Sequence, residues 1–301
     1  MPRLPYRLTI LLLLLLPWLK AVSAAPDDAE LFRGVERHDL AVIETALKNG
    51  ASLAATNSRG WSPLIEAVNH DDLAAIRLLI ERGADVNGRS AASQGSYVIH
   101  FAAAKANLKV LELLAVKGAR LDQLTLKGGS PLAVAISRGG AKSVECLLKL
   151  GADPNAPCFR GESGEWITPL GHAAVRLDTN VAGLLLKYGA ELERPSSSGN
   201  TPLMLAARGE GRGPLVRWFL AQGADPNAHS PRGYTALIFA AFHGETESVE
   251  ALLAAGADPK ARAADPEEEG IVSRTVFTPA SVALDSGYEE LAKRLREAAA
   301  R

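Results

Sequence analysis

The chain has 301 residues, of which 47% are hydrophobic and only 5% aromatic, with 33 basic and 34 acidic side chains. That composition can build a large core from Ala, Leu and Val, and the balanced charge excludes a general nucleic-acid binder. Two cysteines in so long a chain exclude a disulfide scaffold, although the sequence leaves open a bridge between Cys146 and Cys158.

Residues 1–24 have the pattern of a secretory signal peptide. Arg3 and Arg7 precede the apolar run LTILLLLLLPWL, and small residues follow up to Ala24. As a helix this run would rise about 18 Å, less than the ~30 Å hydrocarbon core, so a membrane anchor is the weaker interpretation. We expect cleavage after Ala24 and no membrane insertion of the mature chain. Cleavage would remove three basic residues and no acidic one, leaving a net charge of −4.

Two short motifs recur along the rest of the chain. A Gly-Ala motif, GADPN in its fullest form, begins at residues 50, 83, 118, 151, 189, 223 and 256, with gaps of 33, 35, 33, 38, 34 and 33 residues. A second motif, Ser/Thr-Pro-Leu or a close variant, begins at residues 62, 130, 168, 201, 235 and 278. From the second motif to the next Gly-Ala there are always 21 or 22 residues. The repeat length therefore varies mainly after Gly-Ala, where loops have been inserted.

The segment of constant length predicts two short helices. Ser or Thr followed by Pro is typical of a helix N-cap with Pro at the first helical position. The Gly of Gly-Ala suits a left-handed residue that ends the second helix, and the Asn of GADPN tolerates the same geometry. Helices this short must be stabilised by stacking on their neighbours. A small residue recurs once per repeat in the first helix and indicates close helix packing: Gly34, Ala67, Ala102, Ala135, Ala173, Ala206, Ala240 and Ala283.

A 33-residue period of T-P-L-x-x-A, two helices and G-A-D-x-N resembles the ankyrin repeat. The resemblance implies an all-α solenoid of about eight helix-turn-helix units with hairpin-like fingers over residues 25–301. The predicted units are approximately 27–56, 57–91, 92–124, 125–162, 163–195, 196–229, 230–272 and 273–301. The first and last depart from the motifs, and we expect them to be capping repeats. His100 matches the family's structural histidine, which is expected to hydrogen-bond to loop backbone.

Three fingers carry inserted residues, namely those before Tyr97, before Thr168 (CFRGESGEW) and before Thr278 (ADPEEEGIV). Insertions in the fingers of a solenoid are often on the binding face, whereas neutral loop growth costs little entropy, and the sequence leaves both interpretations open. No catalytic motif is present, since GESG is one residue short of a nucleophile elbow. We expect no enzyme activity, no cofactor and no metal. The remote alternative is an enzyme that uses Glu162, Ser163 or Glu165.

The resemblance also implies protein binding through the finger tips and the exposed side of the first (inner) helix of each repeat. Finger-tip candidates are apolar or aromatic, which suits interface anchors, although packing within the fingers is the alternative. On the inner helices one exposed position is mostly basic, which would favour an acidic partner surface. The alternative is that these positions are polar merely because they are exposed. The finger-tip candidates are Trp61, Ile167, Tyr234 and Phe277. The basic candidates are His70, Lys105, Arg138, Arg176 and His243, with Arg208 adjacent.

These features favour a non-catalytic protein–protein interaction module. The chain resembles exported bacterial ankyrin-repeat proteins, and we expect it to be periplasmic, monomeric and bound to one or more proteins rather than to nucleic acid. A secreted effector that binds host proteins is the alternative, and fractionation of cells would separate the two.

Overall fold

The computed structural model describes residues 26–160, 164–264 and 276–301. The predicted signal peptide, the candidate residues Glu162 and Ser163, and most of the insertion before Thr278 lie outside these residues. The chain divides into two units, Met1–Asp85 and Val86–Arg301. Within the described residues each unit is all-helical apart from short hairpins, as the sequence predicted.

The described part of the first unit, residues 26–85, contains two pairs of helices. They are α1 (Pro26–Glu36) with α2 (Leu40–Lys48), and α3 (Pro63–Asn69) with α4 (Leu73–Glu81). Gly34 in α1 packs so closely on α2 that an added Cβ would lie 2.9 Å from the backbone nitrogen of Ile43. Only a residue without a side chain fits there.

In the second unit every pair consists of a shorter inner helix and a longer outer helix. The pairs are α5 (Val98–Lys105) and α6 (Leu108–Val116), α7 (Pro131–Val134) and α8 (Gly140–Lys149), α9 (Pro169–Val175) and α10 (Thr179–Lys187), α11 (Pro202–Ala206) and α12 (Gly213–Ala221), α13 (Ala236–Phe242) and α14 (Thr246–Ala254), and α15 (Pro279–Asp285) and α16 (Glu289–Ala300). Between α7 and α8, residues Ala135–Gly139 form a π-helical turn.

Two fingers of the second unit contain antiparallel hairpins. Strand β1 (Phe159–Arg160) pairs with β2 (Trp166–Ile167), and β3 (Ala263–Ala264) pairs with β4 (Val276–Phe277). Both lie in fingers with insertions, so the described parts of these insertions extend the finger as paired strands.

The N-cap prediction is confirmed at every Ser/Thr-Pro-Leu motif. In each case the hydroxyl accepts a hydrogen bond from the backbone N–H three residues later, which satisfies one of the otherwise unpaired donors of the first turn. The capping residues are Ser62, Ser130, Thr168, Thr201, Thr235 and Thr278. The small residues predicted to pack closely are buried as well, and every alanine among them is 0% exposed.

The Gly-Ala motif works partly as predicted. Its glycines are left-handed, with φ between 88° at Gly118 and 100° at Gly50, and they end the outer helices. The asparagine was expected to use the same geometry, which is wrong, because Asn155 and Asn227 do not have positive φ.

The asparagine instead joins successive repeats through its side chain. The Nδ2 of Asn155 donates to the carbonyl of Gly189 over 2.9 Å, and its Oδ1 accepts from the N–H of Glu191 over 2.8 Å. Because it binds the next Gly-Ala motif at two points, this side chain fixes the step from one outer-helix end to the next. The same two bonds join Asn87 to Gly118 and Arg120, and Asn227 to Gly256 and Asp258.

The one repeat with an extra residue between its helices uses that turn to contact its neighbour. The Nη1 of Arg212 donates to the carbonyls of Ala174 and Val175, each over 3.2 Å. Both carbonyls lie at the C-terminal end of α9, where that of Ala174 also accepts from the N–H of Leu177, so the guanidinium caps the negative end of the helix dipole.

Both cysteines are free thiols in the structure, and both are buried. The bridge that the sequence left open is therefore not formed. Across the described part of the chain, no helix is both long and apolar enough to cross a membrane.

Candidate functional site

The finger-tip candidates differ in how much of each side chain a partner could reach. Ile167 is only 5% exposed, so the expectation of an exposed apolar anchor is wrong there. Its strand pairs with β1, and the side chain points into the protein. Tyr234 and Phe277 are half-buried because both pack on a small apolar cluster of Ile238, Ala263 and Val282. The alternative of packing within the fingers therefore describes these three positions better.

Trp61, in the first unit, is half-buried and lies beside a buried carboxylate. The Arg59 guanidinium is 4.8 Å from the centre of the Trp61 ring, and its Nη1 is 3.7 Å from Oε1 of Glu66. Glu66 is fully buried and also binds Asn57 Nδ2 at 2.7 Å and His70 Nε2 at 3.0 Å. The charge of His70, when protonated, is thus matched within the fold.

The second unit repeats this arrangement around Arg208. Its Nη1 is 3.5 Å from Oε2 of Glu165, and its guanidinium lies 5.3 Å from the centre of the Phe239 ring. Phe239 in turn stacks on Tyr234, with 5.6 Å between the ring centres. Glu165, the described member of the remote enzyme alternative, is buried. Ser196 and Asn200 also donate to its carboxylate, which is therefore a structural anchor for Arg208.

Three of the predicted basic residues have charges that a binding partner could reach. Lys105, Arg138 and Arg176 are exposed, and each stands at the end of an inner segment in three successive repeats of the second unit. In the described part of that unit, none of the three forms an ion pair. We call these three side chains the cationic row.

His243 does not add a charge to this row near neutral pH. Its imidazole is half-buried, and burial followed by the neighbouring Arg208 and Arg212 guanidinium groups lowers its pKa below the ordinary value. Of the six expected basic residues, three therefore remain as cations without an ion pair among the residues that the structure describes. Two of the others, Arg208 and His70, are bound to buried carboxylates.

His172 is a residue that sequence reasoning missed. It is 3% exposed, stacks on Phe159 of β1 with 4.6 Å between ring centres, and its Nε2 is 3.2 Å from the hydroxyl of Ser137. No described group satisfies its Nδ1. Burial, followed by the charge of Arg176, lowers the pKa of His172 to about 4. The signal in the sequence was a histidine at an inner-helix position where the other repeats of the second unit have Phe, Val or Leu.

By contrast, His100 has the structural role expected of it. Its Nδ1 accepts from the N–H of Tyr97 over 3.2 Å, so Nε2 carries the proton and donates to the carbonyl of Gly129 over 3.0 Å. Burial lowers its pKa, which keeps the ring neutral and this tautomer in place.

Apolar side chains are exposed beside the Arg176 end of the cationic row. Val175 is 41% exposed and Leu177 is 48% exposed. Leu177 also has a φ of 60°, a left-handed conformation that is costly for a branched side chain. Phe242, which ends the inner helix α13, is 55% exposed. The surface next to the cationic row is therefore mixed, with charge and apolar area side by side.

Stacked pairs of short helices, tied together by side-chain clamps and exposing charged and apolar groups on the inner helices, define a helical-repeat binding scaffold. Ankyrin-repeat family models match residues 64–115, 127–158, 159–230 and 203–301. The chain belongs to the ankyrin-repeat proteins, which mediate protein–protein interactions. The ankyrin-repeat domains of its relatives are generally non-catalytic binding modules. No three His, Cys, Asp or Glu side chains among the described residues are grouped to hold a metal ion.

Relatives and solved structures agree with this assignment. Ankyrin repeat and SOCS box protein 16 of Homo sapiens is 33% identical over 223 residues, which cover 72% of this chain and 45% of that protein. Ankyrin repeat and SOCS box protein 3 of Bos taurus is 32% identical over 168 residues, which cover 56% of this chain and 31% of that protein. This chain thus spans less than half the length of either relative.

Two solved ankyrin-repeat domains have the same fold. The domain of Bcl-3, described as a unique member of the IkappaB protein family, superposes with a TM-score of 0.64 at 25% identity, covering 74% of this chain and 97% of that one. The human ASB11 domain gives a TM-score of 0.61 at 23% identity, covering 81% and 100%, and supports the fold alone.

Proposed function

We propose that this chain is a non-catalytic binding module of the cell envelope that holds a partner protein on its inner-helix face. The observation that carries the proposal is the cationic row. Its three exposed cations form no ion pair with any described residue, and they lie at equivalent positions where they are not needed to hold the repeats together. Their charge favours an acidic partner surface and speeds association. Within the same unit, Phe242 adds exposed aromatic area of the kind found at interface anchors. Trp61 is a separate half-buried candidate of the first unit.

The location in the envelope is part of the proposal and rests on the N-terminal sequence pattern. Fractionation of cells expressing the chain at native level tests it, with the expected result that the shortened protein is found in the periplasm. Retention of the full-length chain in the cytoplasm would contradict this location. Release into the medium would favour instead a secreted effector that binds host proteins.

Partner binding is tested by affinity purification of the tagged mature chain from its own cell envelope after reversible cross-linking. The wild type is compared with the triple variant Lys105→Glu, Arg138→Glu, Arg176→Glu. The charge-matched control is Lys109→Glu, Lys117→Glu, Lys142→Glu, whose exposed side chains lie on or next to outer helices α6 and α8. We expect the control to retain a specific partner that the row variant loses. A partner retained equally by both variants would place binding elsewhere.

A non-catalytic role also makes a prediction for Glu165. Its carboxylate is buried and bound by three side chains, so the variant Glu165→Gln should loosen Arg208 and lower stability. An enzymatic activity lost in Glu165→Gln at unchanged stability would overturn the non-catalytic assignment.

A further inference from the structure

The three members of the cationic row lie on directly adjacent segments of the second unit. A side chain at Gly139 would collide with the carbonyl of Ala103, so the π-helical turn packs against α5. The Ser137 hydroxyl of the same turn reaches His172 in α9 at 3.2 Å. Packed helices lie about 8–10 Å apart, so the row presents one cation about every 10 Å.

A second row of side chains runs parallel to the cations, one helical turn earlier on each segment. Phe101 and Val134 are half-buried four residues before Lys105 and Arg138. In α9 the equivalent residue, His172, is only 3% exposed, and its ring stacks on the half-buried ring of Phe159. Residues four apart are neighbours on a helix surface, so apolar and aromatic groups border the cationic row. We call Phe101, Val134 and Phe159 the apolar stripe.

Only some backbone conformations can match both rows with a simple repeat. A polyproline II helix rises about 3.1 Å per residue with three residues per turn, so every third side chain points the same way at intervals of about 9 Å. A β-strand repeats its faces every second residue, at about 7 Å, which does not match the row. An α-helix reaches about 10 Å only at every seventh residue, so it would offer few of its side chains to the row.

We infer that the cationic row and the apolar stripe together bind an acidic, proline-containing partner segment in the polyproline II conformation, with a carboxylate at every third residue. Each turn of such a segment places one carboxylate on Lys105, Arg138 or Arg176 and one proline ring against the apolar stripe. The segment is already extended before binding, so little conformational entropy is lost. This inference rests on the proposed function and specifies the chemistry of the partner at that face.

The π-helical turn supports the assignment independently of charge. Turns of this kind are rare and are frequent at functional sites. Here the turn follows the shortened inner helix α7, lies in the middle of the row and carries Arg138. The equivalent inner helices α5 and α9 are regular.

The inference is tested with a fluorescent peptide of four Glu-Pro-Ser repeats, using anisotropy at low and physiological salt. A peptide of the same composition with its four glutamates in one block is the first control. A helical peptide with a glutamate at every seventh residue is the second. We expect the spaced peptide to bind at least about tenfold more tightly than either control, because only it matches both rows.

Variants then locate the site. The triple charge reversal of the cationic row should weaken binding of the spaced peptide at least about tenfold and flatten its salt dependence, whereas the Lys109, Lys117 and Lys142 control should change it less than about twofold. If the row variant fails to fold, the single variants Arg138→Gln and Phe101→Ala are measured with the spaced peptide instead, and each should weaken its binding.

Two results would overturn the inference. One is equal binding of the spaced and block peptides, which would indicate attraction by net charge alone. The other is tighter binding of the helical peptide. If either result is found but the row variant still fails to retain the cross-linked partner, the proposed function stands, and only the inferred polyproline II conformation of the partner is wrong. If the partner is also retained by the row variant, both fail.

Discussion

Leu177 shows how a single residue can depart from what the fold prefers. It occupies the turn between α9 and α10 with φ of 60°, and the equivalent turn in the repeat of α13 uses Gly244 with φ of 67°. The left-handed conformation costs an L-residue about 1–2 kcal/mol, and a side chain that is 48% exposed recovers little of this by packing.

We therefore expect Leu177→Gly to raise the free energy of unfolding by about 1 kcal/mol. Equilibrium urea denaturation followed by circular dichroism measures the effect. The control Val175→Gly, in the last turn of helix α9, should be destabilising because the residue is helical. Destabilisation by Leu177→Gly would show that the exposed leucine packs on the fold.

His172 makes stability depend on pH. Its pKa of about 4 in the folded chain lies below the ordinary value near 6.5, so between these values the unfolded chain binds more protons. The contribution of His172 to the free energy of unfolding is fully present above about pH 6.5. It falls by about 3 kcal/mol as the pH is lowered to 4.

The variant His172→Leu should remove this part of the pH dependence, since Leu205 occupies the equivalent position and is buried. The measurement is the difference in unfolding free energy between pH 7 and pH 5, for wild type and variant. His100, whose pKa is also lowered, is unchanged in both and supplies the background slope. An unaltered slope in the variant would mean that His172 is protonated without cost in the folded state.

The asparagine side chains act at the scale of the element, because each one sets the position of the next helix end. Asn155 makes two hydrogen bonds to the following Gly-Ala motif. Asp153, two residues earlier, accepts from the N–H of Asn155 within its own turn and has no bond to another repeat among the described residues. The two residues thus differ in whether they link repeats.

Asn155→Ala should lower the free energy of unfolding by about 1–2 kcal/mol, as two net hydrogen bonds are lost, and Asp153→Ala by about half of that. Thermal and urea denaturation of both variants provide the comparison. Equal effects from the two substitutions would indicate that the turn, and not the link between repeats, supplies the stability.

At the scale of the whole molecule, the sequence predicted the periodic features and missed those made by single side chains. The caps at Ser62 and Thr168, the burial of Ala173 and the backbone bonds of His100 all followed from a repeated pattern. The pairing of Arg208 with Glu165 did not, because the two residues are 43 positions apart and neither belongs to a motif.

The sequence therefore predicted where the basic residues of the candidate surface lie, but not which of them are bound by carboxylates. Spacing placed Lys105 and Arg138 at equivalent exposed sites, and the structure agrees. Glu66, which binds His70, lies one turn earlier on the same helix, a pairing that the i, i+4 spacing could have indicated. The carboxylate that binds Arg208 depends on a side-chain direction in a finger, which periodicity does not encode. Ile167 was misplaced for the same reason, since its face is set by the register of a hairpin.

The two free thiols provide a test of how the second unit opens as a whole. Cys158 is 2% exposed and its backbone is bonded on both sides, to Ser130 and to Ile167. Burial raises the pKa of its thiol, so the reactive thiolate is scarce even when a reagent reaches it. Cys146, whose thiol pKa is also raised by burial, is 7% exposed and lines a shallow groove between the outer helices α6 and α8.

We expect Cys146 to react with a maleimide in the native protein and Cys158 to react only when the repeats around it separate. Mass spectrometry of time-resolved labelling gives both rates in the same sample, and the variants Cys146→Ala and Cys158→Ala assign them. In a stack of repeats each unit is stabilised by its neighbours, so Asn155→Ala should accelerate labelling of Cys158 in proportion to the stability it removes. Labelling of Cys158 as fast as Cys146 in the native state would show that the hairpin finger opens by itself.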